Sequence, residues 1–143
     1  MKNIKSNNDE KGYTLLELIV VLSILALLAY IAVPQVFKYL GRAKTDVARV
    51  QIEALSSELD FFRLDVGRYP TSEEGLKALL EQSSEIDGWR GPYIEKASQI
   101  KDPWNEEFKY QSPGQHGDFD IYSLGSDHAP GGEGDASDIG NWE

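Results

Sequence analysis

Twenty consecutive residues, 18–37 (LIVVLSILALLAYIAVPQVF), carry no charge, and no other feature restricts the folding of this chain as sharply. As a helix the run reaches about 30 Å, the thickness of a bilayer's hydrocarbon core. A chain of 143 residues supplies one small domain and cannot enclose such a helix on every side. A secretory signal would have a shorter apolar region followed by an Ala-x-Ala site, whereas Ala26, Ala29 and Ala32 are each three positions apart. The run therefore reads as a membrane-spanning helix.

The remainder has the opposite character. Asp and Glu total 24 against 14 Lys and Arg, a formal charge of -10, and nearly all the acid lies beyond the apolar run. Such a surface repels phosphate backbones, so no nucleic acid partner is expected. The absence of cysteine removes disulfides, thiolate nucleophiles and zinc-cysteine sites. Ahead of the run, residues 1–12 (MKNIKSNNDEKG) carry Lys2, Lys5 and Lys11 against Asp9 and Glu10. The lysines hold that end in the cytoplasm and send the C-terminal part across the membrane.

Glu17 sits one residue before the uncharged stretch, inside the apolar sequence TLLEL. A carboxylate near the centre of a span costs about 2.5–3.5 kcal/mol, so Glu17 belongs at the interface or has a partner. Pro34 lacks a backbone donor and Gly41 lowers helix propensity, which marks residues 34–41 as the place for a kink, a local melt or a plain membrane boundary. Beyond Pro34 the apolar positions become periodic. One stripe runs Val36, Leu40, Ala43, Val47, Val50, Ala54 and a parallel one runs Ala48, Ile52, Leu55, Leu59, Phe62, with charged residues between them. One helix over residues 14–64 is implied, apolar all round and then amphipathic, its second part packed on a domain.

Residues 67–70 (GRYP) break that helix, and Thr71 with Glu74 forms a Thr-x-x-Glu capping box, which predicts a short second helix over 71–80. Alternating polarity predicts two antiparallel strands, 108–110 and 118–123, joined through 112–117. The fold class is thus α+β. Residues 124–142 (LGSDHAPGGEGDASDIGNW) have five glycines and no apolar period, which is long for an unsupported loop. Its carboxylates, hydroxyls and flexible backbone are the oxygen-rich set that calcium takes, without EF-hand spacing; a solvated acidic loop is the other reading. His116 and His128 lie in glycine-rich loops with no nucleophile motif or phosphate-binding loop, so catalysis is not expected. His116 reads as a turn residue.

The segment Gly12-Tyr13-Thr14-Leu15-Leu16-Glu17, its apolar continuation and Pro34 resemble the type III signal of the type IV pilin and pseudopilin superfamily. Further blocks are similar to those of the major pseudopilins of type II secretion: Arg68-Tyr69-Pro70-Thr71, Gly91-Pro92-Tyr93-Ile94, Asp102-Pro103-Trp104, Ser112-Pro113-Gly114-Gln115-His116-Gly117 and Asp138-Ile139-Gly140-Asn141-Trp142. The resemblance implies cleavage after Gly12 by a prepilin peptidase and methylation of Tyr13, where the family usually has Phe. It makes Glu17 the fifth residue of the mature chain, pairing with a neighbouring subunit's N-terminal amine. It divides the chain into a leader (1–12), a transmembrane and filament-core helix (13–34) and a periplasmic domain (35–143) of a single-pass inner-membrane protein. It implies a homopolymer formed with minor pseudopilins and an inner-membrane assembly platform. It also implies a calcium-ordered C-terminal loop, with Leu124 (through its carbonyl), Asp127 and Asp138 as ligands and Asp135 beside them. Relatives often continue Gly-Gly-Glu-Gly with Thr-Asp-Ala-Asp, whereas this chain has Asp135-Ala136-Ser137-Asp138. A type IV pilus subunit and a membrane-anchored calcium-binding domain are the other functions such a sequence allows.

Overall fold

The computed structural model describes residues 12–82 and 84–143; the expected leader lies almost wholly outside them. The chain falls into two units, one ending at Lys38 and the other beginning at Tyr39. A single helix, α1 (Leu15–Val66), enters both and runs unbroken through Pro34. The helical assignment thus continues where the sequence allowed a melt.

In the first unit no described residue is buried. This part of α1 is long and apolar enough to cross a membrane.

In the second unit, α1 buries one of the two predicted stripes. Ala48, Ile52, Leu55, Leu59 and Phe62 are all at most 3% exposed. They pack in one core with Leu76, Leu79, Ile86, Ile94, Ile100, Phe108, Phe119, Ile121 and Ile139. Each fully buried aliphatic or aromatic side chain contributes about 1.5–3 kcal/mol. The other stripe stays in the open, with Leu40, Val47 and Val50 each at least half exposed. Both stripes have the right period, but only one finds a partner within the chain.

The expected second helix is replaced by turns and a single 3₁₀ turn, Leu76–Leu79. The capping box itself forms: the Thr71 amide donates to Glu74 Oε2 (2.7 Å) and the Glu74 amide to Thr71 Oγ1 (3.2 Å). Gly75, at φ 61°, then takes the backbone into the left-handed region, and no α-helix propagates. Arg68 instead grips both Glu74 oxygens at 2.7 Å, which holds the Glu74 carboxyl down at about 2.

Three antiparallel strands form one sheet in the order β1 (Lys109–Gln111), β2 (Asp120–Ser123), β3 (Ile139–Gly140). The first two are shorter than, or shifted from, the predicted strands, and β3 was not predicted because two residues show no alternation. Tyr110 pairs with Ile121, and Ser123 with Ile139. Beside the sheet, residues 101–107 turn around the buried carboxylate of Asp102. That carboxylate accepts from the Trp104 and Glu106 amides and from the Ser123 hydroxyl, so its lone pairs are satisfied where water is excluded.

Candidate assembly and metal-binding sites

Gly12 has nothing within 4 Å of where a Cβ would stand, and Tyr13 is 89% exposed. The residues flanking the expected cleavage point are therefore accessible. Glu17 is held by its own helix start: the Thr14 amide donates to Glu17 Oε2 (2.9 Å), and the Glu17 amide donates to Thr14 Oγ1 (3.2 Å). This is a reciprocal capping box that satisfies two otherwise orphaned amides and favours a carboxylate at the positive end of the helix dipole. The sequence reading recognised the same spacing at Thr71 and Glu74 but overlooked it here, because Glu17 was judged only as a charge in an apolar run. Oε2 is the oxygen that takes the Thr14 amide, and Glu17 sits exposed in the first turn of α1. Pro34 lies within α1 and is exposed.

The C-terminal loop is built by glycines that let its two ends touch. Gly125, at φ 69°, sits so close to the opposite strand of the loop that a Cβ would stand 2.8 Å from the Ser137 carbonyl oxygen and 2.9 Å from that of Asp135. The turn Gly125–Asp127 is thereby nested against Gly134–Ala136. Asp127 is exposed, and its Oδ1 accepts from the Ala129 amide at 3.1 Å. Asp138 ties the loop across itself: its Oδ2 accepts from the Gly131 amide at 3.0 Å, and its own amide donates to the Gly131 carbonyl. Its other oxygen, Oδ1, is buried without a hydrogen-bond partner. A buried, unpaired carboxylate oxygen is costly unless something cationic meets it.

Asp135 lies elsewhere. A Cβ on Gly41 would stand 2.9 Å from the Asp135 Cβ and 3.0 Å from its Oδ2, so Asp135 rests directly on α1 at a glycine. Leu124 lines a small recess of about 50 Å³ with Asp102, Glu106, Glu107, Lys109 and His128. Among the described residues, no three His, Asp or Glu side chains converge in a metal-holding group. A calcium ion in this loop would thus draw on backbone carbonyls as well as carboxylates, a mixture that calcium accepts. The orphaned Asp138 oxygen fits that requirement.

His116 is the residue whose setting the sequence reading missed. Its Nδ1 is 3.0 Å from Oδ2 of Asp120, and its ring stacks on Trp142 with centroids 4.1 Å apart and planes 17° from parallel. Asp120 is 3% exposed and also accepts from the Gln115 and His116 amides. Burial alone would raise the Asp120 carboxyl, but these hydrogen bonds outweigh it and hold the group below its ordinary value. No sequence pattern joins positions 116 and 142.

Comparison with known proteins adds to this geometry. Residues 7–33 match the prokaryotic N-terminal methylation motif, and residues 35–142 match type II secretion system protein G. The chain is 39% identical to type II secretion system core protein G of Pseudomonas aeruginosa, over 94% of this chain and 96% of that protein. It is 40% identical to the Vibrio cholerae protein of the same name, over 97% and 96% of the two chains. The crystal structure of the major pseudopilin from the type 2 secretion system of enterohaemorrhagic Escherichia coli superposes with a TM-score of 0.59 at 39% identity, covering 70% of this chain and 87% of that one. The methylation motif leading into a long apolar helix, followed in the chain by the protein G match and by similarity to a solved pseudopilin, marks a pseudopilin. The chain belongs to the protein G family of the type II secretion system, the major pseudopilins.

Proposed function

We propose that this chain is the repeating subunit of a periplasmic pseudopilus whose growth drives folded proteins across the outer membrane. A prepilin peptidase cuts after Gly12, Tyr13 becomes the methylated N-terminus, and the subunit leaves the inner membrane for a helical homopolymer. Minor pseudopilins and an inner-membrane assembly platform complete the assembly. The observation that carries this reading is the α1 surface left without a partner. The apolar half is exposed throughout, and in the second unit Leu40, Val47, Val50, Phe61 and Leu64 are exposed as well. Lipid can cover the first set, but only other protein can cover the second in a polar compartment.

Within the polymer, Glu17 acts as a register mark. The Thr14 capping box holds its carboxylate at the helix start, where a neighbour's N-terminal amine can meet it. A subunit seated at the wrong height leaves a charge unpaired in an apolar setting, which costs about 3–5 kcal/mol.

Calcium takes the place a disulfide would have in a chain without cysteine. Asp127 and Asp138 would hold it with carbonyls such as that of Leu124, while the Asp135 side chain rests against Gly41. The ion would supply charge that fastens the loop, and no reaction is assigned to it. The chain's role is structural, as in its family: His116 is bound to Asp120, and His128 lines a small recess.

Intact mass spectrometry of the membrane-extracted protein tests the processing step. A chain starting at Tyr13 with one added methyl supports the reading, and an uncut chain in a strain with active peptidase opposes it.

A further inference from the structure

Strand β3 has only two residues, Ile139 and Gly140, and it follows directly on Asp138. Two paired residues do not hold a strand by themselves. Its anchors are therefore side chains. Ile139 is fully buried in the core. Asn141 clamps β2, with its Oδ1 accepting from the Ile121 amide and its Nδ2 donating to the Phe119 carbonyl. Trp142 lies on the His116 ring and is backed at 5.8 Å by Tyr122. Two glycines make this last contact possible. A Cβ on Gly140 would stand 2.5 Å from the Trp142 ring, and one on Gly114 would stand 2.6 Å from Oδ1 of Asp120.

His116 is itself fixed from below. The buried Asp120 holds its ring at Nδ1 and its backbone amide, so the imidazole plane is set before Trp142 meets it. Other charges nearby are already engaged, Asp118 with Arg63 and Glu143 with Arg49. Among the described residues, the stack is the ring contact that joins the β1–β2 loop to the C-terminal segment.

We propose that His116 and Trp142 form a clasp that holds β3, and through it Asp138, in the position from which the C-terminal loop binds its metal. His116 is a positioning residue in this scheme: it touches no ion, and it acts through the strand that carries Asp138. The metal clause rests on the calcium reading above, while the clasp on β3 stands on the contacts alone.

The test uses the full chain in detergent micelles, with calcium as the probe and hydrogen exchange read by mass spectrometry. Without calcium, His116→Ala is expected to speed exchange over residues 138–142 while the α1 core amides keep their protection, and His116→Phe, which keeps a flat ring, is expected to restore slow exchange. Losing a stacked ring pair should weaken calcium binding about fivefold in His116→Ala. Trp142→Ala, which also loses the Tyr122 contact, should cost at least as much, and the double substitution should cost no more than Trp142→Ala alone, because His116 acts through that ring. Unchanged exchange in His116→Ala, failed rescue by Phe, or fully additive losses would overturn the clasp. If the wild-type chain binds no calcium, the metal clause falls with the calcium reading and the exchange data judge the clasp separately.

Discussion

The two halves of α1 share a helix and differ in fate. Before Lys38 every described residue is exposed, although almost all are apolar. After Tyr39 the apolar content is lower, yet Ala48, Ile52, Leu55, Leu59 and Phe62 are sealed in a core. Burial in this chain follows the presence of a partner surface, not hydrophobicity. In the proposed polymer the hydrophobic half carries assembly for that reason, since it must leave water for lipid or for copies of itself, while the amphipathic half contributes its buried stripe to the domain core.

The contrast can be broken most forcefully at Glu17. Replacing it with Gln keeps a hydrogen-bonding side chain for the Thr14 box but removes the charge, leaving a neighbour's amine unpaired at a cost of about 3–5 kcal/mol per contact. Filament yield is expected to collapse while circular dichroism shows the same helix content. Assembly at wild-type yield would remove Glu17 as a register mark.

One substitution can be made in each half with the same chemistry. Leu59→Ala, in the sealed part of the helix, should destabilise the domain by about 2.7–5 kcal/mol in chemical denaturation. Leu25→Ala, in the exposed part, should change domain stability by less than about 0.5 kcal/mol. Similar values for the two would mean that the apolar half has a partner within the subunit.

The C-terminal loop sharpens the comparison, since ahead of Ile139, which is buried in the core, its order is proposed to come from a ligand. Saturating calcium should stabilise the second unit by about 2.7 kcal/mol when free ion reaches 100 times Kd, read as a rise in Tm. Asp138→Asn should remove most of that rise. A Tm indifferent to calcium would leave the buried Asp138 oxygen unexplained.

The smallest effect concerns Glu74. Its carboxyl is held at about 2 by Arg68, below an ordinary value of 4.5. A depressed folded-state value contributes stability above 4.5 that is lost as pH falls toward 2. Arg68 is partly exposed, so the contribution is about 1 kcal/mol. Glu74→Gln should flatten that part of the acid limb in a stability-versus-pH series.

Long-period patterns were legible in the sequence and short ones were not. The 52 residues of α1 announce themselves through many repeats of one spacing. The sheet's first two strands showed enough alternation to be located, with ends displaced by one or two residues. β3 has no period to read, and its place depends on Asn141 and Trp142 meeting residues some 20 positions earlier. The false second helix had a correct start signal at Thr71, overruled by Gly75 four residues further on. The seat of Asp135 on Gly41 and the His116 stack are products of the folded backbone, and no local spacing encodes them.

The central claim is that this chain polymerises through α1. Ultracentrifugation of processed protein released by gentle opening of the cell envelope, followed by negative-stain electron microscopy of the pellet, tests it directly. Filaments in the pellet that contain this chain as the repeating subunit are the expected result. A correctly processed, methylated chain that stays monomeric in the membrane fraction of a strain with the full secretion machinery would contradict it.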